Sequence, residues 1–263
     1  LISVIVPALN EEAQIEETLR SLTSQTQKRN EYEIVVVDGG STDGTCNIAK
    51  RYTDKVIVQT HPGIGGARKD GAEAASGRIL AFTDADTTFP PNWLDTISEN
   101  LKVYEASTGP VIFQNGNIKT AILSTWRTLY RPLNLLNFYY IIGSNMAVRT
   151  KTYWRAGGHS DVSLLDDYDL SVKLFRKGTW SCYDSRQEVY TSSRRAHKLL
   201  TYGITVAYGH YNYMIAKDYD KLLNYPKVEN MMIKDVLTGS KWGKNALTMM
   251  TSVQTTLQET MKR

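Results

Sequence analysis

The sequence predicts an α/β domain built on a mainly parallel sheet, and three observations predict it. Short, almost wholly apolar runs recur at Ile2–Pro7, Glu33–Val37 and Ile79–Phe82, as expected of strands buried on both faces. Segments with apolar residues at helical spacing alternate with them. Each run stops at a turn carrying acidic residues or glycine, and open α/β sheets bind ligands outside those carboxyl ends.

Ile2–Pro7 is the first strand, and Ala8-Leu-Asn-Glu-Glu12 leads from it into a helix with Ile15, Leu19 and Leu22 on one face. Asn10 is the expected N-cap there, and Glu11 and Glu12 suit a positive first turn. Glu33–Val37 is the second strand, ended by Asp38-Gly-Gly-Ser-Thr-Asp-Gly44, in which Ser41, Thr42 or Asp43 can cap the next helix. Lys55–Gln59 reads as a third strand. Gly63-Ile-Gly-Gly66 opens a helix whose small residues (Ala67, Ala72, Ala74, Ala75) let it lie close to the sheet. Arg68 and Lys69 are expected in its first turn, where the helix dipole disfavours cations. A nearby anion explains them; a plain surface pair is the alternative.

The stretch Gly77–Pro90, GRILAFTDADTTFP, carries the strongest chemical signal. A buried strand ends in Thr83, and Asp84 and Asp86 follow with one small residue between them. In an extended chain residues i and i+2 point the same way, so both carboxylates face one point beyond the strand. Two hard oxygen ligands there suit Mg²⁺ or Mn²⁺ carried by a diphosphate, with a solvated acidic turn as the bland reading. Asp38, the Gly63–Arg68 turn and Asp84-Ala85-Asp86 all lie at carboxyl ends of strands, and this convergence argues for a site.

The second half is less regular. Val111–Phe113 reads as a strand. Residues 118–142 are apolar and aromatic, with Trp126, Tyr130, Phe138, Tyr139 and Tyr140, and suit core, an acceptor groove or membrane contact. Gly143–Arg149 reads as a turn and short strand. Leu164-Leu-Asp-Asp-Tyr-Asp-Leu-Ser171 opens a helix; Asp166, Asp167 and Asp169 are more acids than capping needs. Strand-like segments lie near Trp180 and Val189, before Thr191-Ser-Ser-Arg-Arg195. Two amphipathic helices are expected beyond, one from Leu199 to Met214 and one from Leu247 to Met261.

The chain has 263 residues, 41% hydrophobic, enough for one large domain or two small ones. A formal net charge of +4 is too small to argue for nucleic acid as a partner. Cys46 and Cys182 lack metal-type spacing and read as small buried residues in a reducing compartment. No clean run of about 20 apolar residues occurs. The sequence opens directly in a strand, so a longer natural N-terminus is expected. A cytoplasmic location follows as the expectation, with peripheral attachment to a membrane face as its sharper form.

Taken in order, the motifs VIVPALNEE, VVVDGGSTDGT, GARKDGAEAASGRILAFTDADT, GSNMAVR and LLDDYDLSVKLFRKG resemble the family 2 glycosyltransferases over roughly residues 2–195. The resemblance implies a GT-A fold: a single Rossmann-like nucleotide-binding domain over residues 1–198, with a nucleotide half to 110, an acceptor half from 111, and a helical extension over 199–263. It implies a nucleotide-diphosphate sugar, UDP- or GDP-linked, as donor, and a sugar, lipid-linked (polyprenyl-phosphate) or protein-glycan acceptor. It implies that Pro7, Ala8, Glu11, Asp38, Gly65, Arg68, Asp84, Ala85 and Asp86 bind the donor, with Asp86 and Asp84 on Mn²⁺ or Mg²⁺. Asp167 matches the general base, flanked by Asp166 and Asp169. Arg194 and Arg195 resemble a Ser-Arg-Arg segment near the leaving diphosphate. His197 is a candidate third metal ligand, with a surface histidine as the bland alternative.

There are departures. Lys69 stands where Asn is usual, His159 replaces the aromatic of Gly-Gly-Phe, and the Gln-x-x-Arg-Trp motif of processive synthases is absent. The implied chemistry is metal-dependent transfer with inversion: a carboxylate takes the acceptor's proton while cations neutralise the departing diphosphate. No G-x-G-x-x-G follows the first strand and no G-x-x-x-x-G-K-[ST] occurs, which disfavours a dehydrogenase and a P-loop NTPase. A sugar nucleotidyltransferase should carry its Gly-rich loop after the first strand, where this chain has Pro-Ala-Leu-Asn-Glu. The rival from another class is a non-catalytic sugar-nucleotide-binding or scaffold protein on the same fold.

Overall fold

The structure, a computed structural model, describes residues 1–114, 131–136, 138–193, 205 and 208–224. The chain divides into two compact units, Leu1–Leu199 and Leu200–Arg263.

The first unit holds a seven-stranded sheet in the order β3–β2–β1–β4–β8–β6–β9. Its strands are β1 (Ile2–Ala8), β2 (Tyr32–Asp38), β3 (Lys55–Val58), β4 (Ile79–Phe82), β6 (Ala106–Thr108), β8 (Met146–Arg149) and β9 (Ser181–Tyr183). The first four run parallel, β8 is antiparallel to both its neighbours, and β9 is parallel to β6. The expected mainly parallel sheet is observed; β8 reverses one strand near its middle. A second sheet pairs β5 (Thr87–Thr88) and β7 (Val111–Phe113) with the two sides of β10 (Val189–Thr191).

Alternation along each strand builds two cores. Val4, Val6, Ile34 and Val36 face Ile15, Leu19 and Leu22 of α1 (Ile15–Thr23) and Trp93, Ile97 and Leu101 of α4 (Trp93–Val103). Ile5, Val35, Val37, Leu80 and Phe82 face the opposite way. They pack on Ala67 and Ala72 of α3 (Gly63–Ala74), Tyr153 of α5 (Thr150–Arg155), and Leu170 and Leu174 of α6 (Asp166–Arg176). The small residues of α3 have the expected purpose: a Cβ on Gly71 would press on Ile5 and stand 3.0 Å from Val37 Cγ2.

Local expectations are corrected at three points. Asn10 does not cap α1, which starts at Ile15 behind Gln14. It adopts a left-handed backbone (φ 54°), and its side-chain oxygen accepts from the Thr42 N–H at 2.9 Å, tying the β1 loop to the β2 loop. Glu11 and Glu12 likewise precede the helix; Glu12 accepts from the Gly44 N–H at 3.0 Å, at the start of α2 (Thr45–Ala49). Arg68 and Lys69 lie beyond the first turn of α3, which begins at Gly63.

Asn145 joins the two sheets. Its carbonyl oxygen accepts from Trp93 Nε1 (3.0 Å) and Gln187 Nε2 (3.2 Å), and its amide donates to the carbonyls of Pro110 (3.1 Å) and Gln187 (2.6 Å). A fully buried amide so engaged has no hydrogen-bonding capacity left over.

In the second unit residues 208–211 are helical, Asn212–Ala216 forms a π-helical turn, and α7 spans Tyr219–Leu223. The expected helix from Leu247 to Met261, and half of the one from Leu199 to Met214, lie outside the described residues. Among the described residues no helix is long and apolar enough to cross a membrane.

Asn145→Leu keeps the volume but leaves buried donors and acceptors unmatched, each costing about 1–3 kcal/mol. The expected loss of stability is roughly 3 kcal/mol or more, read as a lower urea midpoint.

Candidate active site

The chain passes from β1 to β2 and β3 on one side, then crosses to β4 on the other, so the crevice between the ends of β1 and β4 is the topological switch point. Ala8 pairs with Asp38 across the ends of β1 and β2, with Pro7 beside Val37. Burial alone would raise Asp38; hydrogen bonds from Ser41 and from the Gly40 N–H hold its carboxyl below the usual range. The Glu11 N–H donates to Thr45 Oγ1 at 2.8 Å. Gly65 has a packing reason: a Cβ there would meet the Ser160 carbonyl and stand 3.1 Å from Asp166 Cβ.

Asp84 and Asp86 follow β4, Asp86 in a turn with Ala85, and alternate in burial with the residue between them. Both are half-buried, while Ala85 between them is buried with its carbonyl accepting from Thr18 Oγ1 at 2.8 Å. Their partners differ. Asp84 Oδ1 accepts from Arg68 Nη2 at 2.7 Å. Asp86 is tied to β10: its carbonyl accepts from the Ser192 N–H at 3.1 Å, and its Oδ1 from Thr191 Oγ1 at 3.5 Å. The chain is therefore held at Asp86 two residues before Arg194. Arg194, Arg195 and His197 lie outside the described residues.

Arg68 is the hub. Its guanidinium is 3% exposed and spans Asp84 and Asp166, the latter through Nη1. Burial works against its charge, but the carboxylates of Asp166, Asp84 and Asp167 outweigh that and bind its proton more tightly than usual. The anion expected near Arg68 is thus supplied by the chain, 16 and 98 residues away. Lys69 faces Asp161 at 3.9 Å.

Asp166 and Asp167 open α6 behind Leu165, whose left-handed backbone (φ 61°) turns the chain sharply into the helix. Asp167 keeps part of its surface accessible although protein packs closely around it. Its oxygens accept from the Tyr168 N–H (2.8 Å), the Gly143 N–H (3.1 Å) and the Tyr140 hydroxyl (3.2 and 3.3 Å). Burial first, and then the charge of Asp166, push its pKa up to about 6. Asp169 turns away to Ser160 and Lys173.

His159 follows Gly157 and Gly158, where the family resemblance leads one to expect an aromatic. It is buried, edge-on to Phe82 at 4.9 Å, with the Tyr153 hydroxyl 3.0 Å from Nδ1. Burial, and then Arg68 and Lys173, keep it neutral by lowering its pKa well below the usual value.

Two half-exposed, oxygen-only carboxylates at a strand's end fit a hard divalent ion that takes its other ligands from diphosphate and water. His61, Asp70 and Glu73 are the group of three found close enough to hold an ion among the described residues. Asp70, however, already accepts from Thr60 N (2.6 Å), Thr60 Oγ1 (2.6 Å), His61 N (3.0 Å) and His61 Nδ1 (2.6 Å). That carboxylate clamps the β3–α3 loop.

The sequence model of glycosyl transferase family 2 matches residues 3–156. The chain belongs to glycosyl transferase family 2. Glycosyltransferase AglE of Haloferax volcanii is 40% identical over 100 residues, 36% of this chain and 33% of AglE. A validoxylamine A glucosyltransferase of Streptomyces hygroscopicus subsp. limoneus is 35% identical over 103 residues, 37% of this chain and 23% of its own length. The matched stretch thus spans a third or less of these relatives. Among solved structures, mannosyltransferase PcManGT from Pyrobaculum calidifontis, in complex with GDP-Man and Mn²⁺, superposes with a TM-score of 0.65 at 20% identity. The match covers 96% of this chain and 79% of that one. S. aureus TarS 1-349 in complex with UDP-GlcNAc gives 0.62 at 18%, over 93% and 78%. The fold is the GT-A fold of these transferases.

Two features of this family 2 site were not visible in the sequence. The Arg68–Asp166 pair joins residues 98 apart, and Tyr140 reaches Asp167 from an aromatic stretch with no spacing signal.

Arg68→Ala removes the cation from among these acids. The expected loss is about 3–5 kcal/mol at pH 7.5, the range for leaving a buried charge unpaired. Without Arg68 the Asp167 pKa rises further, so the folded variant binds protons that the unfolded chain releases, and the deficit shrinks as pH falls towards 5. Urea midpoints at both pH values check this.

Proposed function

We propose that this chain is an inverting glycosyltransferase that moves a sugar from a UDP- or GDP-linked donor to an acceptor hydroxyl, with Asp167 as general base. The observation that carries the reading is the placement of Asp167. It is an acid of raised pKa at a helix start, linked through Asp166 and Arg68 to Asp84 at the donor end of β4. A base tuned near working pH removes a proton efficiently yet is ionised for most of the time. The names of PcManGT with GDP-Man and TarS with UDP-GlcNAc support a nucleotide-sugar donor.

In this reading Pro7, Ala8, Glu11 and Asp38 line the nucleotide's side of the crevice. Asp84 and Asp86 hold Mg²⁺ or Mn²⁺, which would supply positive charge to the departing diphosphate. Arg68 orients Asp84 and Asp166 instead of touching the donor, because its guanidinium is enclosed. The acceptor oxygen bonds to the anomeric carbon as the bond to the diphosphate breaks on the opposite face, and its proton passes to Asp167. Arg194 and Arg195 add charge on the leaving-group side. A polyprenyl-phosphate acceptor, already ionised, would need no base, so the tuned carboxylate favours a hydroxyl.

The first test is a hydrolysis screen of UDP-, GDP- and dTDP-sugars with Mn²⁺ and Mg²⁺. With the donor found, Asp86→Ala is expected to lose metal-dependent binding by calorimetry. Asp167→Asn is expected to bind donor normally and lose transfer by roughly 10²-fold or more. The wild-type rate should rise with pH through about 6 as Asp167 ionises. Transfer by Asp167→Asn near the wild-type rate would move the base elsewhere.

The basic, Tyr- and Met-bearing sequence from Leu199 supports peripheral contact with an anionic membrane face. Flotation with anionic liposomes at low salt checks it: association is expected, and recovery in the soluble fraction would contradict it.

A further inference from the structure

Three donors converge on the Asp167 carboxylate. Two are backbone N–H groups, of Tyr168 on Oδ1 and of Gly143 on Oδ2, fixed by α6 and by the turn before β8. The third is the Tyr140 hydroxyl, shared between both oxygens at 3.2 and 3.3 Å. A carboxylate offers about four lone-pair sites. The backbone donors take two, and the phenol lies across what remains, where an acceptor hydroxyl must also come.

The ring is held for this purpose by the segment around it. Ile141, next in the chain, is buried and donates its N–H to Ser171 Oγ at 2.9 Å, and Ser171 Oγ in turn donates to the Asp167 carbonyl at 2.7 Å. Tyr140 therefore follows α6 through two fastenings, at Ile141 and at Gly143. Its ring meets Tyr168 edge-on at 5.8 Å, Tyr168 meets Phe138 at 6.3 Å, and Phe138 meets Phe175 at 5.5 Å. These edge-to-face contacts fix ring orientation.

Resting on the assignment of Asp167 as base, we propose that Tyr140 is a positioning residue: its phenol orients the Asp167 carboxylate, favours its ionised form, and yields its place to the incoming acceptor hydroxyl. A hydrogen bond donated to a carboxylate favours the charged form. It acts there alongside the other groups facing Asp167, namely Asp166 and Tyr168 on α6 and Arg68 from α3.

The test compares wild type, Tyr140→Phe and Asp167→Asn, each checked for folding by circular dichroism. The first readout needs no substrate: the near-ultraviolet difference spectrum between pH 5 and pH 8. A phenol bonded to a titrating carboxylate contributes a tyrosine perturbation, expected in wild type and absent from both variants. The second readout is the pH profile of hydrolysis of the sugar nucleotide found in the screen, or of UDP-GlcNAc and GDP-mannose directly. Tyr140→Phe is expected to lose activity about tenfold at pH 6 and about threefold or less at pH 8, the scale of one hydrogen bond to a charged group. Its acid limb moves to higher pH and its donor affinity stays unchanged. Loss of turnover in Asp167→Asn, with spectrum and pH profile unchanged in Tyr140→Phe, overturns the proposal alone. Full turnover in Asp167→Asn overturns the base assignment and the catalytic half of the proposal with it.

Discussion

The buried guanidinium of Arg68 is the interaction on which the site depends. It is enclosed by protein, and its two arms reach Asp84 after β4 and Asp166 at the start of α6. Those acids belong to the donor and acceptor sides of the proposed reaction. Without a cation between them their charges would repel across a low-dielectric interior. With it they form one unit, from which Asp167 projects with burial and one neighbouring acid raising its pKa and one neighbouring cation lowering it. The placement of α3 makes this arrangement possible, because Gly65 lets the helix approach Ser160 and Asp166 where a side chain would not fit.

Much of this was legible in the sequence, for physical reasons that differ by element. The strands showed because burial on both faces demands continuous apolar runs, and β1, β2 and β4 fall where those runs lie. The half-buried setting of Asp84 and Asp86 was readable because i, i+2 spacing is local, and the pattern persists into the turn after β4. Asn10 was misread because an Asn before a helix and an Asn bridging two loops look alike in sequence; only the Thr42 N–H, 32 residues away, distinguishes them. The direction of β8 was likewise hidden, since period-two patterning carries no sign of parallel or antiparallel pairing.

The site's long-range couplings were illegible for a stronger reason. Arg68 and Lys69 are adjacent cations on one helix, and nothing local marks one for burial between acids and the other for a half-exposed contact with Asp161. Tyr140 sits in an aromatic stretch that by composition suits core first, with an acceptor groove or membrane contact as alternatives. His159 is a buried polar ring at the edge of this centre: its imidazole meets Phe82 edge-on and stays neutral, because burial, and then Arg68 and Lys173, lower its pKa. Its Nε2 lies 3.7 Å from Asp166 Oδ2, close to the same acid that Arg68 holds.

The central claim is spatial: a donor's diphosphate sits at Asp84 and Asp86, and Asp167 stands on the other side of the transferred sugar. Diffraction from crystals grown with Mn²⁺ and the donor identified by hydrolysis, using the anomalous signal of manganese, tests this most directly. The account predicts one strong manganese peak at the carboxylates of Asp84 and Asp86, with the Asp167 carboxylate facing the anomeric carbon opposite the diphosphate. A peak at His61, Asp70 and Glu73 in its place, or an anomeric carbon turned away from Asp167, would contradict it.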